Sequence, residues 1–341
     1  MKKEQRLNEW IDLYAGEKKF SGSVYVMKGG EIIFKKHIGY ADINKKIPIS
    51  DDTIFRFYSL TKPFTAIAIM RLFEEGKVDL NEHPGKYIEC AEKIDKRITI
   101  KMLLQHESGL YEVASVETMA EKRDVNLEEE IEKAAEKELI FIPGTQCEYT
   151  NTNFIILSLI VEKFRGMPIY EYFENHLFPE MGMKTAFCDM GDKKVPDMAV
   201  GYDLENDKLV PSSYANMHLM SGAGCAAGRA KDVICLYEAI KNNKILKKET
   251  WGMIFTSSKI SNFGLGCHVF EWYGKLTYQH NGGFSGFRTL QRYVPHEDFN
   301  IVIMSNTGFG NARNEISTAV YSVYHDKEYL LDNIEMDKGF A

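Results

Sequence analysis

The sequence predicts an α+β fold: an antiparallel sheet formed from both chain termini and flanked by helices, plus a helical lobe set on it. Three observations carry this. Strand-rich runs stand near the N-terminus and again in the last third, while the stretch between them is dominated by helical periodicity. The length of 341 residues allows about two domains of roughly 150 residues, or one two-lobed unit. Residues 1–80 and 215–341 are expected to form the sheet-bearing lobe and 81–214 the mainly helical one, with the active site between them.

The elements follow in order. Leu7, Trp10, Ile11 and Tyr14 recur at three- and four-residue spacing, which predicts an amphipathic helix over 3–16. Val24–Met27 and Ile32–Phe34 are β-rich, and Gly29-Gly30 between them supplies the positive φ of a tight hairpin turn. Helical patterns follow over Thr65–Glu75, Ile98–Gln105, Leu127–Leu139, Phe154–Phe164 and Lys231–Lys241, two of them ending at Gly76 and Gly166. Strands are then expected over Leu265–Trp272, Leu276–His280, Phe287–Val294 and Phe299–Met304, with a glycine-rich loop after His280 and a closing helix near Asn311–Tyr324.

Apolar residues make up 44% and charged residues 27%, the balance of an ordinary folded protein. Lys+Arg 42 against Asp+Glu 49 leaves a net charge of −7, which repels phosphate backbones and argues against a nucleic-acid partner. No run of about 18 apolar residues is present, so no membrane span is expected. Met1-Lys2-Lys3 starts like an export signal, but polar residues follow where the apolar segment belongs, which makes a cytoplasmic location the expectation. Cys90, Cys147, Cys188, Cys225, Cys235 and Cys267 form no C-x-x-C pair and read as reduced thiols. The acidic run Glu128-Glu129-Glu130 reads as the solvated face of a helix whose buried stripe is Leu127, Ile131, Ala134, Ala135 and Leu139. No metal and no cofactor is expected, and nothing in the sequence fixes an oligomeric state.

Several motifs fail. There is no phosphate loop and no G-x-S-x-G elbow, since Gly283-Phe284-Ser285-Gly286 is one residue short. His106-Glu107 starts like a zinc-protease helix, but Leu110 stands where the second histidine belongs. Gly222-Ala223-Gly224 to Gly228 is one residue too long for a dinucleotide fingerprint.

Three patterns survive. Ser59-Leu60-Thr61-Lys62 ends an extended stretch and leads through Pro63 into a helix. A three-residue step puts Ser59 and Lys62 on one helical face. A serine hydroxyl attacks a carbonyl only when a base takes its proton, and a lysine serves once burial or a neighbouring cation lowers its pKa. Tyr149-Thr150-Asn151 precedes an apolar helix; the phenol can relay a proton and the amide can hold a substrate backbone group. His280-Asn281-Gly282-Gly283 continues a strand, where a bare sheet edge can pair with a substrate backbone and an N–H can complete an oxyanion hole.

Taken together, this order resembles the class C β-lactamase and D-alanyl-D-alanine carboxypeptidase group of serine hydrolases, which includes D-aminopeptidases and esterases. The flanks match too: Leu103-Leu104-Gln105-His106-Glu107-Ser108-Gly109-Leu110, Phe141-Ile142-Pro143-Gly144 and Ser221-Gly222-Ala223-Gly224 are similar to blocks of that family. The resemblance covers roughly residues 20 to 310. It implies Ser59 as nucleophile, Lys62 as its base, and Tyr149 as proton exchanger with Ser59 and the leaving group. It further implies Ser59 and Gly283 N–H groups as oxyanion hole, with Asn151, His280, Asn281 and Gly282 binding substrate and the His106 block holding a turn beneath the site. His280 stands where class C β-lactamases carry lysine, and Asn281 replaces the usual threonine or serine. Both departures weigh against an efficient β-lactamase, unless Arg288 turns into the cleft. The activity implied is acyl-enzyme hydrolysis of small amides or esters: D-amino-acid peptides, β-lactams or carboxylic esters. The alternatives are a class C-type β-lactamase proper and a catalytically silent sensor of peptides or β-lactams.

Overall fold

The computed structural model describes residues 3–18, 20–191 and 194–327. Its centre is a six-stranded antiparallel sheet of β1 (Gly22–Lys28), β2 (Glu31–Ile38), β3 (His268–Trp272), β4 (Lys275–Phe284), β5 (Phe287–Val294) and β6 (Phe299–Ser305). The spatial order β3-β4-β5-β6-β1-β2 places N-terminal β1 against C-terminal β6, with Gly22 opposite Ser305 and Lys28 opposite Phe299. The two ends of the chain thus share one sheet, as expected. Gly29 and Gly30 both take positive φ and close the β1–β2 hairpin.

Strand alternation divides the core in two. Val24 and Val26 of β1, Leu290 of β5 and Ile301 and Ile303 of β6 face one way. They pack there on Leu7 and Ile11 of α1 (Lys3–Lys18) and on Ile316 and Val320 of the closing helix, Ala312–Tyr324. Tyr25, Met27, Val302 and Met304 face the other way, into a larger core with α2 (Lys62–Glu74), α3 (Asn151–Arg165), α4 (Met217–Gly224) and α5 (Ala230–Lys241). A small sheet of Ile54–Arg56, Ala226–Arg229 and Phe187–Cys188 ties the approach to Ser59 to the segment after α4.

Some boundaries differ from those expected. The strand predicted over Leu265–Trp272 begins at His268, because Gly264 to Cys267 turns back on itself: the Gly264 N–H donates to the Cys267 carbonyl, and Gly266 has φ of +86°. The helix predicted to Leu139 ends at Ala135. α2 and α3 begin three residues earlier than their apolar patterns, at Lys62 and Asn151, so both polar side chains stand in first helical turns. The expected glycine-rich loop after His280 is strand: β4 runs through Gly282 and Gly283 to Phe284. Those glycines serve close approach rather than a turn. A Cβ on Gly282 would lie 1.9 Å from the Phe57 carbonyl oxygen. Among the described residues no helix is long and apolar enough to cross a membrane.

Candidate active site

The chain reaches Ser59 through a strained residue. Tyr58 is fully buried and has φ of +47°, a conformation that costs a non-glycine residue of order 1–3 kcal/mol and persists only where the surroundings impose it. Its ring packs on Phe284 and Phe287, with centroids 5.9 and 6.1 Å away, and Arg56 on the same approach pairs with buried Asp189 at 2.6 Å. Thr289 on β5 donates to the Phe57 carbonyl at 3.0 Å. Sheet, turn and small sheet together fix a 3₁₀ turn over Tyr58–Thr61 that hands Ser59 to α2.

Lys62 is fully buried, and its Nζ lies 3.1 Å from Ser59 Oγ, 2.7 Å from Asn151 Oδ1 and 3.0 Å from the Ala223 carbonyl oxygen. The amine also sits over the Tyr149 ring, 4.7 Å from its centroid. Burial lowers the Lys62 pKa to about 7, opposed by the charge of Glu112. Burial likewise raises the Tyr149 phenol above its ordinary range, with a hydrogen bond from Ser59 acting in the opposite sense.

Tyr149 rests on the His106 block. The two rings stack at 4.4 Å, and His106 Nδ1 accepts the Thr150 N–H at 3.2 Å, which puts the imidazole proton on Nε2. Ser108 Oγ donates to Asn153 Oδ1 at 2.7 Å, and Gly109, with φ of +73°, comes so close to the Phe141 carbonyl that a Cβ would meet it at 2.4 Å. The Leu103–Leu110 segment therefore lies under the Tyr-x-Asn loop and is pinned to the first turn of α3.

On β4, residues alternate between two faces. His280 and Gly282 point toward the Ser59 turn. Gln279 and Asn281 point toward the terminal helices, where Gln279 donates to Asn281 Oδ1 at 3.0 Å and accepts from Arg292, whose guanidinium stacks on Trp272 at 4.1 Å. The Asn281 side chain thus lies across the strand from the position anticipated for it. Arg288 pairs in register with Gly283 and donates to the Phe287 carbonyl at 2.9 Å; its side chain lies on that same outer face. β3 pairs with β4 only as far as Gln279, so His280–Phe284 has a ladder partner on the β5 side alone. His280 Nδ1 lies 2.7 Å from the Asn281 carbonyl and must carry the proton, leaving Nε2 as acceptor. Burial, then the charges of His268 and Lys62, push its pKa well below the usual value, so the imidazole is neutral at pH 7.

Ser59, Lys62, Tyr149 and Asn151 therefore converge, with His280 and Gly282 on the adjoining strand face. Four participants lie outside the three sequence patterns. Glu112 Oε2 accepts from the Asn151 backbone N–H at 2.7 Å and from Asn151 Nδ2 at 3.1 Å. Phe263 packs edge-on against the His106 ring at 4.8 Å, and His268 in turn lies 4.0 Å from Phe263. Buried Arg313 donates to the Gly282 carbonyl at 3.2 Å. Only the position of Glu112, just after the Gly109-Leu110 block, could have drawn notice. Among the described residues no His, Cys, Asp and Glu cluster is arranged to hold a metal.

A buried serine facing a buried amine and a phenol is the equipment of a serine hydrolase. The chain matches the family described as Beta-lactamase over residues 7–323 and belongs to that family. It is 27% identical over 320 residues to the putative penicillin-binding protein PbpX of Bacillus subtilis, covering 94% of this chain and 79% of that one. It is 25% identical over 295 residues to a D-aminopeptidase of Gluconobacter oxydans, covering 84% of this chain but 55% of the relative. Two solved structures share the fold. An octameric penicillin-binding protein homologue from Pyrococcus abyssi superposes with a TM-score of 0.83 at 22% identity, over 95% of this chain and 78% of that one. The D-amino acid amidase of Ochrobactrum anthropi SV3, solved with D-phenylalanine, gives 0.82 at 20% identity, over 94% and 99%.

Proposed function

We propose that the protein hydrolyses small amides or esters through an acyl-enzyme on Ser59. The observation that carries this is the three-way environment of Lys62 Nζ. A neutral amine has two N–H donors and one lone pair. The Asn151 and Ala223 oxygens can only accept, so they take both donors and the lone pair is left for the Ser59 hydroxyl. Ser59 Oγ attacks the substrate carbonyl carbon while its proton passes to Lys62. The oxyanion is held by the Ser59 and Gly283 N–H groups. Tyr149, whose raised pKa keeps it a phenol, gives its proton to the departing amine or alkoxide and is refilled from the Lys62 ammonium. Water, giving a proton to the same amine, then attacks the acyl carbon; the acyl–Oγ bond breaks, Ser59 Oγ takes that proton back from the Lys62 ammonium, and the carboxylic acid is released. Asn151 holds the acyl side and the one-sided edge at His280–Phe284 receives the substrate backbone. We assign Asn281 no contact.

A neutral His280 offers no fixed cation for a substrate carboxylate, which favours a peptidase, amidase or esterase over a β-lactamase. The same proposal includes the two-lobe division into 1–80 with 215–341 and 81–214. It also includes a cytoplasmic setting in which the six cysteines remain thiols. Fluorophosphonate or penicillin probes are expected to label Ser59 stoichiometrically, with labelling and hydrolysis of p-nitrophenyl esters, nitrocefin or D-amino-acid anilides both lost in Ser59→Ala. Turnover persisting in Ser59→Ala would overturn the assignment.

A further inference from the structure

We propose that the protein carries a second binding site, behind His280, for a small neutral aromatic alcohol of about the size of phenol. This goes beyond the acyl-hydrolase reading and does not depend on it. The site is a cavity between the Ser59-side face of the central sheet and three helices. Ile67 of α2 and Leu236 and Ile240 of α5 form its aliphatic wall. A row of rings forms another: Trp251 of the helix Lys248–Ile254 stacks on Phe255 at 5.7 Å, and Phe255 stacks on Tyr278 of β4 at 3.9 Å. The unfilled space is about 440 Å³ with the open mouth included. An enclosed apolar cavity of about 150 Å³ already admits benzene, so a single six-membered ring is within its size.

The polar part of the lining is small and specific. His280 on β4 and Gln291 on β5 both line the cavity, stand directly opposite each other in the ladder and are buried. His280 Nδ1 is bound to the Asn281 carbonyl, so Nε2 is an acceptor, while the Gln291 amide nitrogen is a donor. Among the described residues neither atom has a hydrogen-bond partner. Directly opposed residues have Cβ atoms about 5 Å apart. One hydroxyl can therefore serve both, donating to His280 Nε2 and accepting from Gln291 Nε2. A molecule that displaces water from such atoms without replacing its hydrogen bonds loses affinity, so a plain hydrocarbon is disfavoured. Charge is disfavoured as well. Among the described residues no lysine, arginine, aspartate or glutamate lines the cavity, and burial keeps His280 neutral and pushes the Cys267 thiol up to about 12. An ion would lose its hydration there without a counter-ion.

The test measures binding of phenol and of toluene by titration calorimetry at pH 7, on wild type, Gln291→Met and Ile240→Trp. Phenol is expected to bind wild type about tenfold or more tighter than toluene, the scale of two net hydrogen bonds. Gln291→Met keeps the volume but removes the donor, so phenol should weaken about threefold or more while toluene is unchanged. Ile240→Trp fills the cavity and should weaken both by about tenfold or more. Wild type blocked at Ser59 with a fluorophosphonate should still bind phenol within about threefold, which separates this site from the substrate cleft. Absence of phenol binding, toluene binding as tightly as phenol, or phenol affinity untouched by Ile240→Trp or abolished by the Ser59 block overturns the inference. Where Ile240→Trp fails to fold, the phenol-to-toluene ratios of wild type and Gln291→Met decide. None of these outcomes alters the acyl-hydrolase reading, which the loss of labelling and turnover in Ser59→Ala tests by itself.

Discussion

The two faces of the central sheet are built on opposite terms. Apart from the buried Gln279–Arg292 pair, the face toward α1 and the closing helix is packed by Leu7, Ile11, Val24, Val26, Leu290, Ile301, Ile303, Ile316 and Val320, all buried. Near Ser59 the other face buries Lys62, Thr65, Asn151, Asn153, Ser158, Ser221 and His280. It also holds positive φ at Tyr58, His106 and Ser221, where side chains are strained. Apolar packing on the first face stabilises the fold, and the second uses that rigidity to keep a lysine dehydrated. The comparison teaches that the nucleophile is made by the stability of elements that never touch it.

Substitutions on the two faces should therefore separate activity from stability. The largest effect is expected from Lys62→Ala, about two or more orders of magnitude in turnover, with Tyr149→Phe costing a similar factor. A Lys62→Ala enzyme within tenfold of wild type would break the contrast. Next comes the glycine pair on β4. Gly282→Ala drives a methyl into the Phe57 carbonyl, so the Ser59 turn must shift and turnover should fall about a hundredfold. Gly283→Ala meets the flexible Arg288 side chain at 2.8 Å and should cost clearly less. Steady-state kinetics on both variants, with thermal melts beside them, check the order. On the outer face, Leu290→Ala should lower stability by about 2–5 kcal/mol in urea titrations while kcat of the folded enzyme stays within about twofold. The smallest change is expected from Asn281→Ala, within about threefold in kcat/KM, because its side chain hydrogen-bonds Gln279 on that outer face.

The contrast also explains what could be read from the sequence. The outer face follows simple periodicity, and its strands and helices were placed within a few residues; β5 matches residue for residue. Lys62 and Asn151 stood out because their neighbours carry recognisable blocks. What escaped is held by distance along the chain. Glu112 meets Asn151 across thirty-nine positions, and Phe263 and His268 complete a ring cluster that includes Tyr149. No local pattern encodes those meetings. Gly282-Gly283 misled for a related reason: glycine usually marks a turn, but here the pair admits another segment's backbone.

The central claim is that burial brings the Lys62 pKa down to about 7, so that near neutral pH a large share of the amine is unprotonated and poised against Ser59. The most direct measurement is the pH dependence of the rate at which a fluorophosphonate phosphonylates Ser59, which needs no knowledge of the natural substrate. Lys62 must be neutral to accept the proton, so the rate should rise with pH to a plateau, with its midpoint near 7. His106, His280 and Tyr149, which burial holds in their uncharged forms, should add no further step between about pH 6 and 10. A rate that keeps climbing to a midpoint near 10, the range of an ordinary exposed lysine, would contradict the account.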